Sequence, residues 1–239
     1  MVQADGADNS GGTNAALLRS VAEQLKTPLA TIARQAELGQ LTGEVGLTDL
    51  GAIRVHAAAA LTLVDSYLLG LRLMREQSML QLEPVSISSL LVETAHELSS
   101  FAKQYGTVVE LSIGGRYEPV MAHPEGLKSA LLALGYTLLQ GYPLPEGSRL
   151  LLSVHRTPHG LVTGLYGEYE QLRSESWRNA LALQGKASKP LSILSGSGAG
   201  LFVADAILQA MESKLRVGRH QKRSGLAATL QPSQQLVFV

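Results

Sequence analysis

The 239-residue chain contains no cysteine. Disulfides, thiolate nucleophiles and cysteine-bound metals are therefore excluded, with no bearing on compartment. An excess of either charge is also missing: 20 basic and 20 acidic side chains cancel to a formal net charge of zero. That balance recommends neither nucleic acid nor an anionic membrane surface as a partner. Aromatics make up only 5% of the chain. Leu and Ala must therefore fill the core, which favours helices. No apolar run approaches the ~20 residues of a membrane span. Residues 1–14 are polar and Gly-rich, with no basic residue before Arg19. They lack the basic start and apolar centre of a signal peptide and read as a disordered lead-in. A soluble, cytoplasmic protein is the expectation.

What is present is an ordinary globular composition, 45% hydrophobic and 17% charged, long enough for two small domains with cores. Over residues 15–82 the apolar positions step by three and four, the period of a helix face. Leu18, Val21, Leu25, Leu29 (or Pro28), Ile32 and Ala36 form one stripe, with Thr13 or Asn14 as cap. Leu50, Ile53, Ala57, Leu61, Val64, Leu68 and Leu71 form a second, with Thr48 or Asp49 as cap. Pro28 should bend the first helix. Glycines at 39, 43 and 46 mark the connection. Two such helices make an antiparallel hairpin that lacks a second layer. Two copies would complete a four-helix bundle, so a homodimer is expected.

Residues 81–86, with Pro84, read as a linker to a different pattern over 83–239. Helices are expected at 87–104, 123–139 and 201–211. Strands are expected at 107–113, 149–155, 161–166, 215–217 and 226–230, with a Thr157-Pro158-His159-Gly160 turn between the second and third. That order predicts an α+β sandwich.

Two short motifs stand out. Glu23-Gln24-Leu25-Lys26-Thr27-Pro28-Leu29 resembles the H-box of sensor histidine kinases, H-E-L-[KR]-T-P-L. Gly196-Ser197-Gly198-Ala199-Gly200-Leu201 resembles the last glycine box of that family's ATP-binding domain. The resemblance runs from about residue 15 to the C-terminus. It implies a dimerisation and phosphotransfer hairpin, a four-helix bundle in the dimer, followed by an α/β sandwich of the histidine-kinase ATPase type.

Box by box, the chemistry looks removed. Glu23 stands at the phosphoacceptor position, where an imidazole should attack the γ-phosphoryl group. Gln24 follows where the family carries an acid, and an amide cannot take a proton. Alignment with the family's asparagine box puts Ala133 and Thr137 at the asparagine positions. Ala133 offers no side-chain oxygen, and Thr137 only a weak Mg²⁺ ligand. The first glycine box needs an aspartate for adenine, yet no aspartate lies between Asp65 and Asp205. Glu168 falls past the glycines of the matching stretch. Gly196, Gly198 and Gly200, ahead of a helix, could still seat a phosphate. Residues 171–195, with Arg173, Arg178, Lys186, Lys189 and Trp177, match the ATP lid.

Three readings follow from the resemblance. One is a degenerate member that acts by dimerising and binding a response-regulator receiver domain or another histidine kinase. One is a phosphatase of a phosphorylated receiver, using Thr27 and Gln24, which are three residues apart on one helix. One is an active kinase or phosphotransfer protein with an atypical acceptor such as His56, itself read as a partly exposed helix residue. No metal ligands are expected and no cofactor is assigned, beyond ATP or ADP with Mg²⁺ at a degraded site. The basic cluster Arg216, Arg219, His220, Lys222 and Arg223 reads as the decoration of a C-terminal hairpin, guarding a sheet edge.

Overall fold

The computed structural model describes residues 8–43, 46–75, 81–141, 144–169 and 199–233. Helices α1 (Asp8–Thr42) and α2 (Leu47–Arg75) form the expected hairpin. Helix α1 begins at Asp8, so residues 8–14, expected as a disordered lead-in, are helical there. Thr13 and Asn14, expected as caps, lie inside the helix. A helix once nucleated extends at little cost. Gly43, with φ of 68°, ends α1 in the left-handed conformation that glycine accepts freely. Asp49 does help to cap α2, but from inside its first turn: its Oδ2 accepts the Gly46 N–H at 3.3 Å. That is the back-reaching half of a capping box; Thr48 takes no such part.

The face of α2 that turns inward is not the stripe that the spacing picks out. Leu50, Leu61 and Leu68 are 52%, 66% and 46% exposed, whereas Ala52, His56, Ala59, Leu63, Tyr67 and Leu73 are buried. The helix is apolar on two sides. The inward side carries the small residues that let α1 and the rest of the chain come close. On α1, Pro28 is buried and Leu29 is exposed. Residues 47–73 of α2 are also long and apolar enough, by length and composition, to cross a membrane. That corrects the expectation that no segment would reach this mark. A helix with two apolar faces scores as a span even though charges interrupt it.

The second part begins earlier than expected. Strand β1 (Glu83–Val85) pairs antiparallel with β3 (Val120–Ala122), so the linker region already holds a strand. Ser86 caps α3 (Ile87–Lys103) by accepting the Ser89 N–H at 3.4 Å. Strands β2 (Val108–Ile113), β4 (Arg149–Thr157), β5 (Gly160–Gly167), β6 (Arg216–His220) and β7 (Arg223–Leu230) form one sheet in the order β2-β4-β5-β7-β6. The β2–β4 pair is parallel and the others antiparallel. Helices α3, α4 (Pro124–Gly141) and α5 (Ala199–Ala210) supply the second layer. Leu91, Leu98, Leu127 and Leu138 meet Leu150, Leu152 and Leu165 in the main core. The α+β class and the hairpin-then-sandwich order are as expected.

The sheet curls strongly. Gln221, in the β6–β7 turn, donates to Ser112 Oγ on the opposite edge strand at 3.1 Å. His220 stacks on His155 of β4 with ring centroids 4.5 Å apart. Gln221 and Lys222 both take positive φ, 48° and 65°, the geometry of a type I′ hairpin turn. Glycines 164, 218 and 225 line the concave side, where Leu151, Val162, Tyr166 and Ala227 make a second small core. The basic hairpin therefore folds over the sheet: His220 is turned inward, while Arg219 and Lys222 remain exposed.

Candidate functional site

Hairpin and sandwich meet along α2, which packs on α4 and α5, and α1 crosses the start of α5. The inward face of α1 runs Val21, Gln24, Leu25, Pro28. It therefore carries one polar side chain, only 4% exposed, among apolar ones. A buried amide must find partners, and Gln24 finds them on α4 and α5. Its Oε1 accepts the Gly200 N–H at 2.8 Å. Its Nε2 donates to Thr137 Oγ1 at 3.0 Å, and Thr137 Oγ1 in turn donates to the Ala133 carbonyl at 2.8 Å.

Gly200 is the second residue of α5. First-turn amides have no acceptor within their own helix, so Gln24 does for α5 what a capping side chain does, from 176 residues away in sequence. Only glycine fits at 200: a β-carbon there would collide with Thr137 Oγ1 and come within 2.8 Å of the Ala133 carbonyl. Beside the contact, Val21, Gln24, Leu25, Ser66, Tyr67 and Val203 line a cavity of about 10 Å³. That is room for about one water molecule. Ser66 Oγ is buried there without a hydrogen-bond partner.

The structure thus brings together Gln24, Thr137 and Gly200, which were expected to serve two different activities. It leaves Thr27 elsewhere. Thr27 is exposed while Gln24 is buried, so the pair does not present a shared surface. Gly196, Gly198, residues 171–195 and the side chain of Glu23 lie outside the described residues. The capping role of Gln24 had one legible sign: an amide on the apolar stripe, three residues after Val21 and four before Pro28.

Among the described residues, those expected to meet a nucleotide are engaged within the chain. The amide at the α5 N-terminus is already bonded to Gln24, and the Thr137 hydroxyl is committed to Ala133 and Gln24. Glu168, the nearest acid past β5, is exposed beyond the strand end. Asp205 is on α5, where its carboxylate accepts the Leu215 N–H at 3.4 Å and a Gln209 N–H at 2.6 Å. It ties α5 to the start of β6, and burial raises its pKa.

His56 corrects a further expectation. It is 5% exposed and sits edge-on to Phe101 and Tyr105, with centroids 5.6 and 6.4 Å away. Enclosure in an aromatic cluster hides the ring from any phosphate donor. Burial pushes its pKa below the usual value. The same holds for His220, and for His155, where burial is followed by the neighbouring His220 and Arg216 charges. The fold therefore favours neutral imidazoles, so their contribution is complete above pH ~6.5 and is lost as pH falls through that value and below it. Denaturant midpoints at about pH 7.5 and 5.5 should show the acid loss, and His56→Leu should shrink the difference between the two.

The sequence matches no known protein-family profile and no curated protein. Solved structures do match. Acinetobacter baumannii histidine kinase AdeS is 17% identical, over 89% of this chain and 98% of that one, with a TM-score of 0.54. Full-length ShkA in complex with AMPPNP is 16% identical over 78% of this chain and 39% of its own, at 0.51. A bacterial phosphotransferase is 13% identical over 95% of this chain and 98% of its own, at 0.50. These likenesses establish the fold, that of a histidine-kinase hairpin and ATPase-type sandwich.

Proposed function

We propose that this chain is a signalling protein of histidine-kinase build that works by binding rather than by transferring phosphate. It pairs with a second copy through the hairpin. It docks a receiver domain or another histidine kinase on the bundle surface around Glu23, Lys26 and Thr27, and its setting is cytoplasmic. One observation carries the reading: the chain's own Gln24 takes the Gly200 amide, in the first turn of the helix expected to receive a phosphate. Neither ATP nor ADP with Mg²⁺ is assigned as a resident cofactor.

The outward face of the hairpin supports the dimer. Leu50, Leu61 and Leu68 are exposed along one side of α2, and Leu29 is exposed on α1. A helix that is apolar on two sides needs two layers to cover it. Sedimentation equilibrium should find a dimer at micromolar concentration. In Leu61→Glu/Leu68→Glu, four buried leucines per dimer become charges, so self-association should weaken on the order of a thousandfold or more, with helix content retained. A double variant that stays dimeric would remove the hairpin from the interface. Titration of phosphorylated and unphosphorylated receiver domains then tests docking, with Lys26→Glu as the surface variant expected to weaken it.

The phosphatase alternative rests on Thr27, which is exposed. It requires that the wild-type protein hasten loss of aspartyl phosphate and that Thr27→Ala abolish the effect. An unchanged decay rate with wild-type protein leaves the binding reading alone.

A further inference from the structure

We infer that the tip of the β6–β7 hairpin is an acid-released clasp: it is closed over the concave face of the sheet while His155 and His220 are neutral, and swings out when they take up protons. Three contacts close it, each reaching a strand that neither β6 nor β7 pairs with. Gln221 donates to Ser112 Oγ on β2 at 3.1 Å. Arg223 Nη1 lies 3.8 Å from Glu110 Oε2, also on β2. His220 stacks on His155 of β4, with centroids 4.5 Å and ring planes 13° apart. The first contact is exposed and the second is long, so both are weak. The ring stack is the contact that pH can reverse. Behind the tip, Gly218 stands opposite Gly225, so no cross-strand side-chain pair braces the hairpin there. The tip can therefore swing while the β5–β7 ladder stays intact.

Hydrogen bonding supplies the reason. A neutral imidazole donates from one ring nitrogen, an imidazolium from both. His155 Nδ1 and His220 Nε2 are each buried without a hydrogen-bond partner among the described residues. A neutral ring can leave its unprotonated nitrogen there. A charged ring must place an N–H there with no acceptor, and two charged rings repel across the stack. The other groups on this face do not offset that. Arg216 of β6, Arg223 of β7 and Arg149 of β4 add positive charge. Burial pushes the pKa of Tyr166 on β5 up to about 12, so it stays neutral. Glu110 of β2 is already bonded to Arg149 at 2.6 Å and lies near Arg223. Burial lowers the pKa of both histidines, and at His155 the His220 and Arg216 charges lower it further. Swung out, each ring meets water and returns towards its ordinary value of about 6.5. Closure is thus complete above pH ~6.5 and is lost as pH falls through that value and below it.

The chain has no cysteine of its own, so spin labels at Val108→Cys on β2 and Lys222→Cys at the tip, both exposed positions, report the gap in the full chain. Pulsed EPR should give one short distance at pH 7.5. A longer one should appear at pH 5.5, its population rising by up to about tenfold per histidine. In His155→Phe/His220→Phe the stack keeps its rings without a titrating group, and the distance should stay short at both pH values. Ring NMR of the unlabelled protein should show both histidines titrating below pH ~6.5, over the range in which the distance lengthens. Amides of β5 should keep their protection throughout, which separates release of the tip from unfolding. A distance unchanged at pH 5.5 overturns the clasp, and so does a lengthening that survives the double substitution. Loss of β5 protection in step with the tip does the same. The ring titration decides even where the double variant fails to fold: a lengthening at a pH where neither ring titrates overturns the clasp.

Discussion

Incubated with Mg²⁺ and ATP, the protein is expected to acquire no acid-labile phosphate, and Glu23→His is expected to acquire none either. The substitution restores the nucleophile but not the site that would serve it. Phosphoryl transfer depends almost wholly on positioning and on charge neutralisation, and loss of oriented binding alone can forfeit many powers of ten in rate. In this chain no aspartate lies between residues 65 and 205 to read adenine. Ala133 has no side-chain oxygen for Mg²⁺. The Gly200 amide is bonded to Gln24. On the binding reading, one imidazole does not replace adenine readout, a Mg²⁺ ligand and a free helix-terminal amide together. Retention of labelled phosphate through alkali, with its loss in acid, is the measurement. Stoichiometric labelling of Glu23→His would mean that a competent nucleotide site exists, and the binding-only reading would be withdrawn. Calorimetry and thermal shift with millimolar ADP should likewise show no binding, because a ligand held by the native state alone must raise the melting temperature.

Gly225→Ala should destabilise the protein by about 3 kcal/mol or more. A β-carbon at 225 would collide with the Leu165 carbonyl oxygen on β5, and it would come within 2.7 Å of Tyr166 Cα. Both are backbone atoms, so no rotamer change relieves the clash. The neighbouring strand must move, and that strand holds the β5–β7 ladder, with Tyr166 opposite Gly225. The same movement would spread the concave side where Tyr166 packs and where His220 reaches His155. Gly115→Ala is the control, since a β-carbon there meets nothing within 4 Å; its effect should stay within about 0.5 kcal/mol. Denaturant midpoints at constant slope give both values. A Gly225→Ala variant within about 1 kcal/mol of wild type would show that the strands do not approach this closely.

The departures from the family's motifs were legible in the sequence because each is a matter of residue identity. Glu23, the missing aspartate and Ala133 need no coordinates to be set against the family's boxes, and the binding reading proposed above starts from them. The helices and most strands were legible for a related reason: a period of 3.6 or 2 is written into neighbouring residues. Even there, α1 begins earlier than its polar start suggests, and β1 hides in what reads as a linker. A three-residue strand has too few positions to show an alternation.

The sequence by itself determined that this is a helical hairpin ahead of an α+β sandwich. Only the tertiary structure decided which face of α2 turns inward. Periodicity finds an apolar stripe but does not rank two of them, and the choice fell to the side whose alanines and glycine let helices approach. Only the tertiary structure could turn Gln24 from a candidate for phosphatase chemistry into the cap of α5. Its partner Gly200 stands 176 residues away, and a hydrogen bond across that separation leaves no local trace in the chain.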